Sequence, residues 1–319
     1  MVAMCATMFT ACSDDDDKDP LDDDGEGKEG VITMTIEETY IHLGVETFKE
    51  GEIVTVDWGD GNVDEFKSFK VYKDWDEDGE DEIHYVIDND SWNEGEIRHE
   101  YHDSNKPYTI TVKGKIKGWY CWDNLTLLDV SKCPALTELG CGSNNLTSLD
   151  VSKNTALTEL NCYENNLTSL NVSGCTALTY LDCSPNNLTS LDVSKNTALT
   201  YLSCGYNNLT SLDVSKNTAL ILLDCYYNNL TSLNVSGCTA LTELECWDNN
   251  LTSLNVSGCT ALTDLSCSGN NLTSLDVSKN TKLTELSCSS NNLTSLDVSK
   301  NTALTYLDCS PNNLTSLDV

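Results

Sequence analysis

Cysteine, carboxylate and histidine are the side chains in this chain with obvious chemical reach, and cysteine has the most regular spacing. Of sixteen cysteines in 319 residues, ten stand in one column: Cys121, Cys141, Cys162, Cys183, Cys204, Cys225, Cys246, Cys267, Cys288 and Cys309. From Cys141 onward the step is 21 residues every time. Neighbouring strands lie ~4.8 Å apart, close enough for a disulfide on distance alone. Side chains stacked in register on parallel strands, however, point the same way and not at one another. Zinc needs ligands converging from different directions. The column therefore reads as a stack of buried free thiols, which behave as small hydrophobes, with no metal and no cofactor. Cys133, Cys175, Cys238 and Cys259 form a second, partial column, alternating with Asn154, Asn196, Asn217, Asn280 and Asn301.

Catalytic constellations do not emerge. His42, His84, His99 and His102 all precede the repeats, and none has triad or metal-ligand spacing. The serines recur with the repeat and have no nearby base. An acid/base pair of carboxylates, as in a glycosidase, needs a closed pocket, and the acidic positions here are spread over a broad repetitive face. The chain reads as a non-enzyme. One stretch, residues 74–79, has the D-x-D-x-D-G start of a calcium loop, in which alternate carboxylates converge and glycine permits the turn. Its twelfth position is Tyr85 where glutamate is needed, so a solvated acidic loop is the simpler reading.

Charge narrows the partners. A formal net charge of −33 repels phosphate backbones and anionic lipid heads, which excludes nucleic acid and keeps the protein soluble. No stretch of ~20 apolar residues exists, so no helix is expected to cross a membrane.

What positions the cysteines is a repeat. Residues 136–155, LTELGCGSNNLTSLDVSKNT, recur with small changes in the spacing L-x-x-L-x-C-x-x-N-x-L, followed by T-S-L-[DN]-V-S. A fixed period of this size signals a solenoid. Leu136, Leu139, Cys141, Leu146, Leu149 and Val151 should face its interior. Asn144 and its equivalents should satisfy backbone groups stranded at a sharp turn, because an amide both donates and accepts. The return segment has two versions. Asp150/Lys153 typifies one and Asn171/Gly174 the other, and the joint loss of both charges suggests a surface pair.

The pattern resembles the leucine-rich repeat family over residues 119–319, in the short form common in bacterial surface proteins. The resemblance implies a mainly β chain whose strands stack in parallel on a concave face. Residues 31–118 resemble a different family. Alternation at Ile32, Met34 and Ile36, then W-G-D-G at residues 58–61, H-E-Y at 99–101 and Y-T-I-T-V at 108–112 are similar to a PKD-type β-sandwich. Such a unit implies a spacer that also caps the solenoid. Residues 1–12 end in F-T-A-C and resemble a bacterial lipoprotein signal with Cys12 as the lipidated residue. The acidic run that follows resembles the export tag of Bacteroides-type surface lipoproteins. Residues 13–30, almost all charged or glycine, read as an extended tether. The implied location is the outer membrane at the cell surface, with membrane contact through the lipid alone.

Between copies, variation concentrates at four outward positions around the strand. These carry Glu159, Tyr163, Tyr180, Asp182, Tyr201, Tyr206, Asp224, Tyr226, Tyr227, Glu243, Glu245, Trp247 and Asp248. Aromatic rings with polar tips bury area while keeping a hydrogen-bond handle, which suits an interface. They also stack on sugars. The expectation is therefore a binding protein for a protein or glycan ligand on the concave face, and the resemblance to bacterial leucine-rich repeat surface proteins implies adhesion or host interaction. A structural spacer and a glycan-uptake accessory are the alternatives.

Overall fold

The computed structural model describes residues 27–73, 82–87, 96–103 and 106–319. Cys12 and the acidic loop at 74–79 lie outside the described residues. Every regular element among them is a strand.

The first strands build two antiparallel sheets. They are β1 (Gly30–Ile36), β2 (Tyr40–Thr47), β3 (Ile53–Asp57), β4 (Val63–Lys67), β5 (Phe69–Lys73), β6 (Glu82–Val86), β7 (Glu96–Glu100), β8 (Tyr108–Gly114), β9 (Ile116–Tyr120) and β10 (Leu125–Lys132). One sheet has the order β10-β1-β8-β3-β4. In the other, β2 pairs with β6, β7 and β9, and β5 pairs with β6. Period-two alternation separates the faces: Ile32, Met34 and Ile36 of β1 are fully buried, as are Ile41 and Leu43 of β2, and all five join one core cluster.

The W-G-D-G and H-E-Y segments meet in this core. Trp58 is buried, stacks on His99 at 4.4 Å and donates its Nε1–H to Asp64 Oδ2 at 2.7 Å. The Tyr101 hydroxyl donates to the Trp58 carbonyl at 3.0 Å. Gly59 has φ +74°, and a β-carbon there would lie 2.3 Å from the Thr109 carbonyl oxygen, so both backbone and space demand glycine.

Strand β9 belongs to two structures at once. On one side it runs antiparallel to β2; on the other it runs parallel to β11 (Glu138–Gly140). From β11 the chain adds one three-residue strand per turn, in strict register: Leu139 pairs with Leu160, Leu160 with Leu181, and so on to Leu307. The result is one 14-stranded sheet spanning the first unit and the solenoid.

Inside the solenoid the leucine and cysteine columns are buried. All fourteen described cysteines are free; thirteen are buried and Cys309 is half-exposed. Burial pushes the thiols up, Cys141 to about 12 and Cys175 to about 11. Asn144 donates from Nδ2 to the carbonyls of Cys121, Cys141 and Gly142 at 2.8, 3.0 and 2.9 Å, and its Oδ1 accepts from Leu125 N–H at 2.7 Å. The same arrangement recurs at Asn165, Asn207 and Asn249.

The return segment corrects one expectation. Asp150 is held by its own turn and not by a charge pair: Ser152 N–H donates to Asp150 Oδ1 at 2.9 Å, and Lys153 is the weakest influence on that carboxylate. Asn171 makes the same turn with Ser173 N–H at 3.1 Å. Glycine accompanies the Asn version for steric reasons. A β-carbon on Gly174 would lie 2.1 Å from the Ser152 carbonyl oxygen, and one on Gly237 would lie 2.0 Å from that of Ser215.

Candidate ligand-binding face

In each repeat strand the central leucine points in, so the residues on either side of it point out. Strict register then stacks equivalent outward residues on successive turns at ~4.8 Å, close to the distance at which aromatic rings pack face to face. Tyr180 and Tyr201 stack at 4.4 Å with planes 8° apart. Tyr226 and Trp247 stack at 4.8 Å and 7°. Tyr206 and Tyr227 stack at 4.5 Å and 20°. The last two stacks meet edge to face, Tyr206 with Tyr226 at 5.5 Å and 87°, and Tyr227 with Trp247 at 4.6 Å and 68°.

The seven aromatics singled out from the sequence therefore sort into three places. Four form a corner, two form a separate pair, and Tyr163 lies apart with its ring laid over Gly142. A β-carbon on Gly142 would fall 2.3 Å from that ring. Gly205 likewise underlies Tyr226.

The backbone beneath the corner is unusual. The position before the Asn-Asn doublet is left-handed at Ser143, Glu164, Tyr206, Tyr227, Asp248, Gly269 and Ser290, with φ between 46° and 64°. In the other two copies this position is Pro185 and Pro311, each after a cis peptide bond. A side chain in this region costs ~1–2 kcal/mol that glycine avoids. Yet glycine occupies one of the seven left-handed positions. Tyr206 and Tyr227 are 50% and 40% exposed, so neither is held there by burial.

Carboxylates border the rings. Asp182, Asp224 and Glu245 follow one another in a single outward column, with Ser203 between the first two. Burial, and then Glu243 and Asp182, raise Asp224 to about 6. Burial, and then Asp224 and Glu243, raise Glu245 to about 7. Asp182 is also raised, by burial, and accepts from Ser184 N–H at 3.0 Å. Glu159 is exposed at the edge near Tyr120, whose hydroxyl donates to Glu138. From Glu138 to Pro311 the four outward columns hold no lysine and no arginine. Past Trp247 the face opens into an acidic trough of about 440 Å³ between Glu243, Glu245, Asp264, Glu285 and Tyr306. Among the described residues no three His, Cys, Asp or Glu side chains converge as a metal site requires. Among the described residues no helix is long and apolar enough to cross a membrane.

No protein-family model matches the chain, and neither does any curated protein. Solved structures do match. The functional domain of InlJ from Listeria monocytogenes, which includes a cysteine ladder, is 40% identical over 64% of this chain and 53% of its own, with a TM-score of 0.51. The leucine-rich repeat domain of APL1B is 27% identical over 62% of each chain, with a TM-score of 0.54. The solenoid has the leucine-rich repeat fold. The plant peptide hormone receptor RGFR1, solved in complex with RGF2, matches at 26% identity over 59% of this chain and 33% of its own, with a TM-score of 0.53. The chain thus spans between a third and about three-fifths of the length of these structures.

Two residues on the leucine-rich repeat sheet escaped the sequence reading. Tyr120 and Trp122 stack at 6.0 Å and 19° on the first turn, and Tyr120 lies over Gly140. Pairing Trp119 with Leu139 places them in the columns of Asp182 and Tyr226. Cys121 lies 20 residues before Cys141 and not 21, which broke the alignment that reveals them.

Proposed function

We propose that this leucine-rich repeat protein is a non-enzymatic binding scaffold that holds a protein ligand against the concave face of its sheet. The observation that carries the reading is the pair Tyr206 and Tyr227, large, exposed rings kept on left-handed backbone where glycine would cost less. The left-handed turn belongs to the repeat, but large exposed rings at two successive copies of it do not serve the scaffold, and tyrosine is favoured at interfaces because it buries area with little side-chain entropy to lose. The peptide-bound state of RGFR1 adds support for a protein ligand.

The scaffold stands at the cell surface of the outer membrane, anchored by a lipid on Cys12. What supports this is the small-residue approach to Cys12 and the acidic run behind it. The first unit is a PKD-like spacer and cap, in keeping with its shared strand β9. Its role is adhesion or host contact.

The test is an array of extracellular proteins and glycans probed with the full chain and with the Tyr206→Gly/Tyr227→Gly variant. Protein hits lost in the variant are expected. Hits that survive in the variant move the site elsewhere, and hits confined to glycans replace the protein ligand with a sugar. Metabolic labelling with an alkyne fatty acid, lost in Cys12→Ser, tests the anchor.

A further inference from the structure

We infer that the corner made by Tyr206, Tyr227, Tyr226 and Trp247 seats an arginine side chain of the ligand. The inference rests on the concave-face reading above and adds the chemistry of the contact.

Three properties of the corner point to a flat cation. First, it offers ring faces in two orientations, because the Tyr206/Tyr227 stack meets the Tyr226/Trp247 stack nearly edge on. A planar guanidinium can lie on one face while its edge is turned to the other wall. Second, carboxylates stand on both flanks. Asp224 and Glu245 are paired on adjacent strands, each two residues before an aromatic of the corner, Tyr226 and Trp247, and Asp248 directly follows Trp247. Carboxylates accept the paired N–H donors of arginine in parallel. Third, the four outward columns hold no lysine or arginine, and the molecule carries −33 overall. A neutral ligand would leave these carboxylates uncompensated, and an acidic one would be repelled.

Lysine is the weaker candidate. Its ammonium is a compact, strongly hydrated point charge with no planar face to lay on a ring and no rigid fork of donors to match a carboxylate.

The experiment pans a library of random dodecapeptides on the full chain and counter-selects on the Tyr206→Gly/Tyr227→Gly variant. The variant keeps the backbone conformation that glycine favours, so its fold is not in question. Arginine should be enriched among peptides that the intact chain retains and the variant loses. In synthetic copies, arginine to lysine or to citrulline should weaken binding about tenfold. Enriched peptides that the variant loses but that carry no cation would overturn the arginine seat and leave the concave reading standing. Peptides held equally by the variant would overturn both. Equal binding of the lysine copies, or a failure to enrich any peptide, would also overturn the inference.

Discussion

Tyr206 and Tyr227 stack at 4.5 Å, and each stands on left-handed backbone, at φ 47° and 46°. The stack gains ~0.5–1.5 kcal/mol and the backbone loses ~1–2 kcal/mol at each residue. Tyr227→Ala removes the gain and keeps the loss, whereas Tyr227→Gly removes both. The glycine variant should therefore be more stable than the alanine variant by about 1 kcal/mol, an inversion of the usual order. Urea unfolding of the two variants measures it, and an alanine variant as stable as the glycine one would show that the backbone stores no strain.

The doubled asparagine of each repeat divides its labour. Asn207 is buried, donates to the carbonyls of Cys183, Cys204 and Gly205 and accepts from Leu188 N–H. Asn208 is exposed. Asn207→Ala strands the Leu188 N–H inside the turn and should cost about 3 kcal/mol. Asn208→Ala should stay within about 0.5 kcal/mol of the parent. Thermal melts of the two single variants decide whether the first asparagine alone carries the turn.

The thiol column should be chemically silent while the protein is folded. The thiolate is the reactive form, and burial holds Cys141 at about 12 and Cys175 at about 11. At pH 8, iodoacetamide should modify Cys309 first among the described cysteines, since it is half-exposed. The thirteen buried thiols should label only as guanidinium unfolds the chain. Peptide mass spectrometry reads this directly, and early modification of Cys162 would contradict it.

Acidification should first stabilise the protein and then destabilise it. Asp224 and Glu245, raised to about 6 and about 7, bind protons in the folded state that the unfolded chain has already released. The stability they contribute is full below ~4 and is lost as pH rises through their folded values. Asp182 and Glu46, also raised, act in the same direction. Asp150, Asp192, Asp213 and Asp276 are lowered below 3.8, chiefly by the serine of their own turn. Their contribution is present above that value and is lost as pH falls through it. The melting temperature should thus rise from pH 8 to about 5 and turn down below about 4. Relief of the overall negative charge adds to the rise, so Asp224→Asn/Glu245→Gln isolates the local part. An unchanged slope in that variant would remove the carboxylate column from the account.

The period made the scaffold legible. Every turn packs on an identical neighbour, so Leu139, Cys141 and Asn144 must repeat, and the repetition exposes their roles. The aromatic positions were legible for the converse reason, because a scaffold column has no need to vary. Their sorting was not. Tyr163 stands apart because Ser184 and Gly205 separate it from Tyr226, three strand steps of ~4.8 Å away, and its ring lies over Gly142 instead. The left-handed backbone was hidden because six of its seven positions carry side chains that usually avoid it, leaving Gly269 as the single sign. Asp150 and Lys153 misled for a simpler reason. The two residues do not act as a pair: Asp150 is held by the Ser152 N–H of its own turn, and Gly174 stands where a β-carbon would meet the Ser152 carbonyl.

Strand β1 lies between β8 and β10, with seven residue pairs along β8 and five along β10. A pull applied through the residues ahead of Gly30 would enter the molecule along that strand. Its hydrogen bonds run across the direction of pull, so they share the load and must break together instead of one after another. Beyond it, β9 links the first unit and the solenoid through backbone bonds to both β2 and β11. A tug on the N-terminal end would therefore be passed to the aromatic face through paired backbone and not through a loose linker.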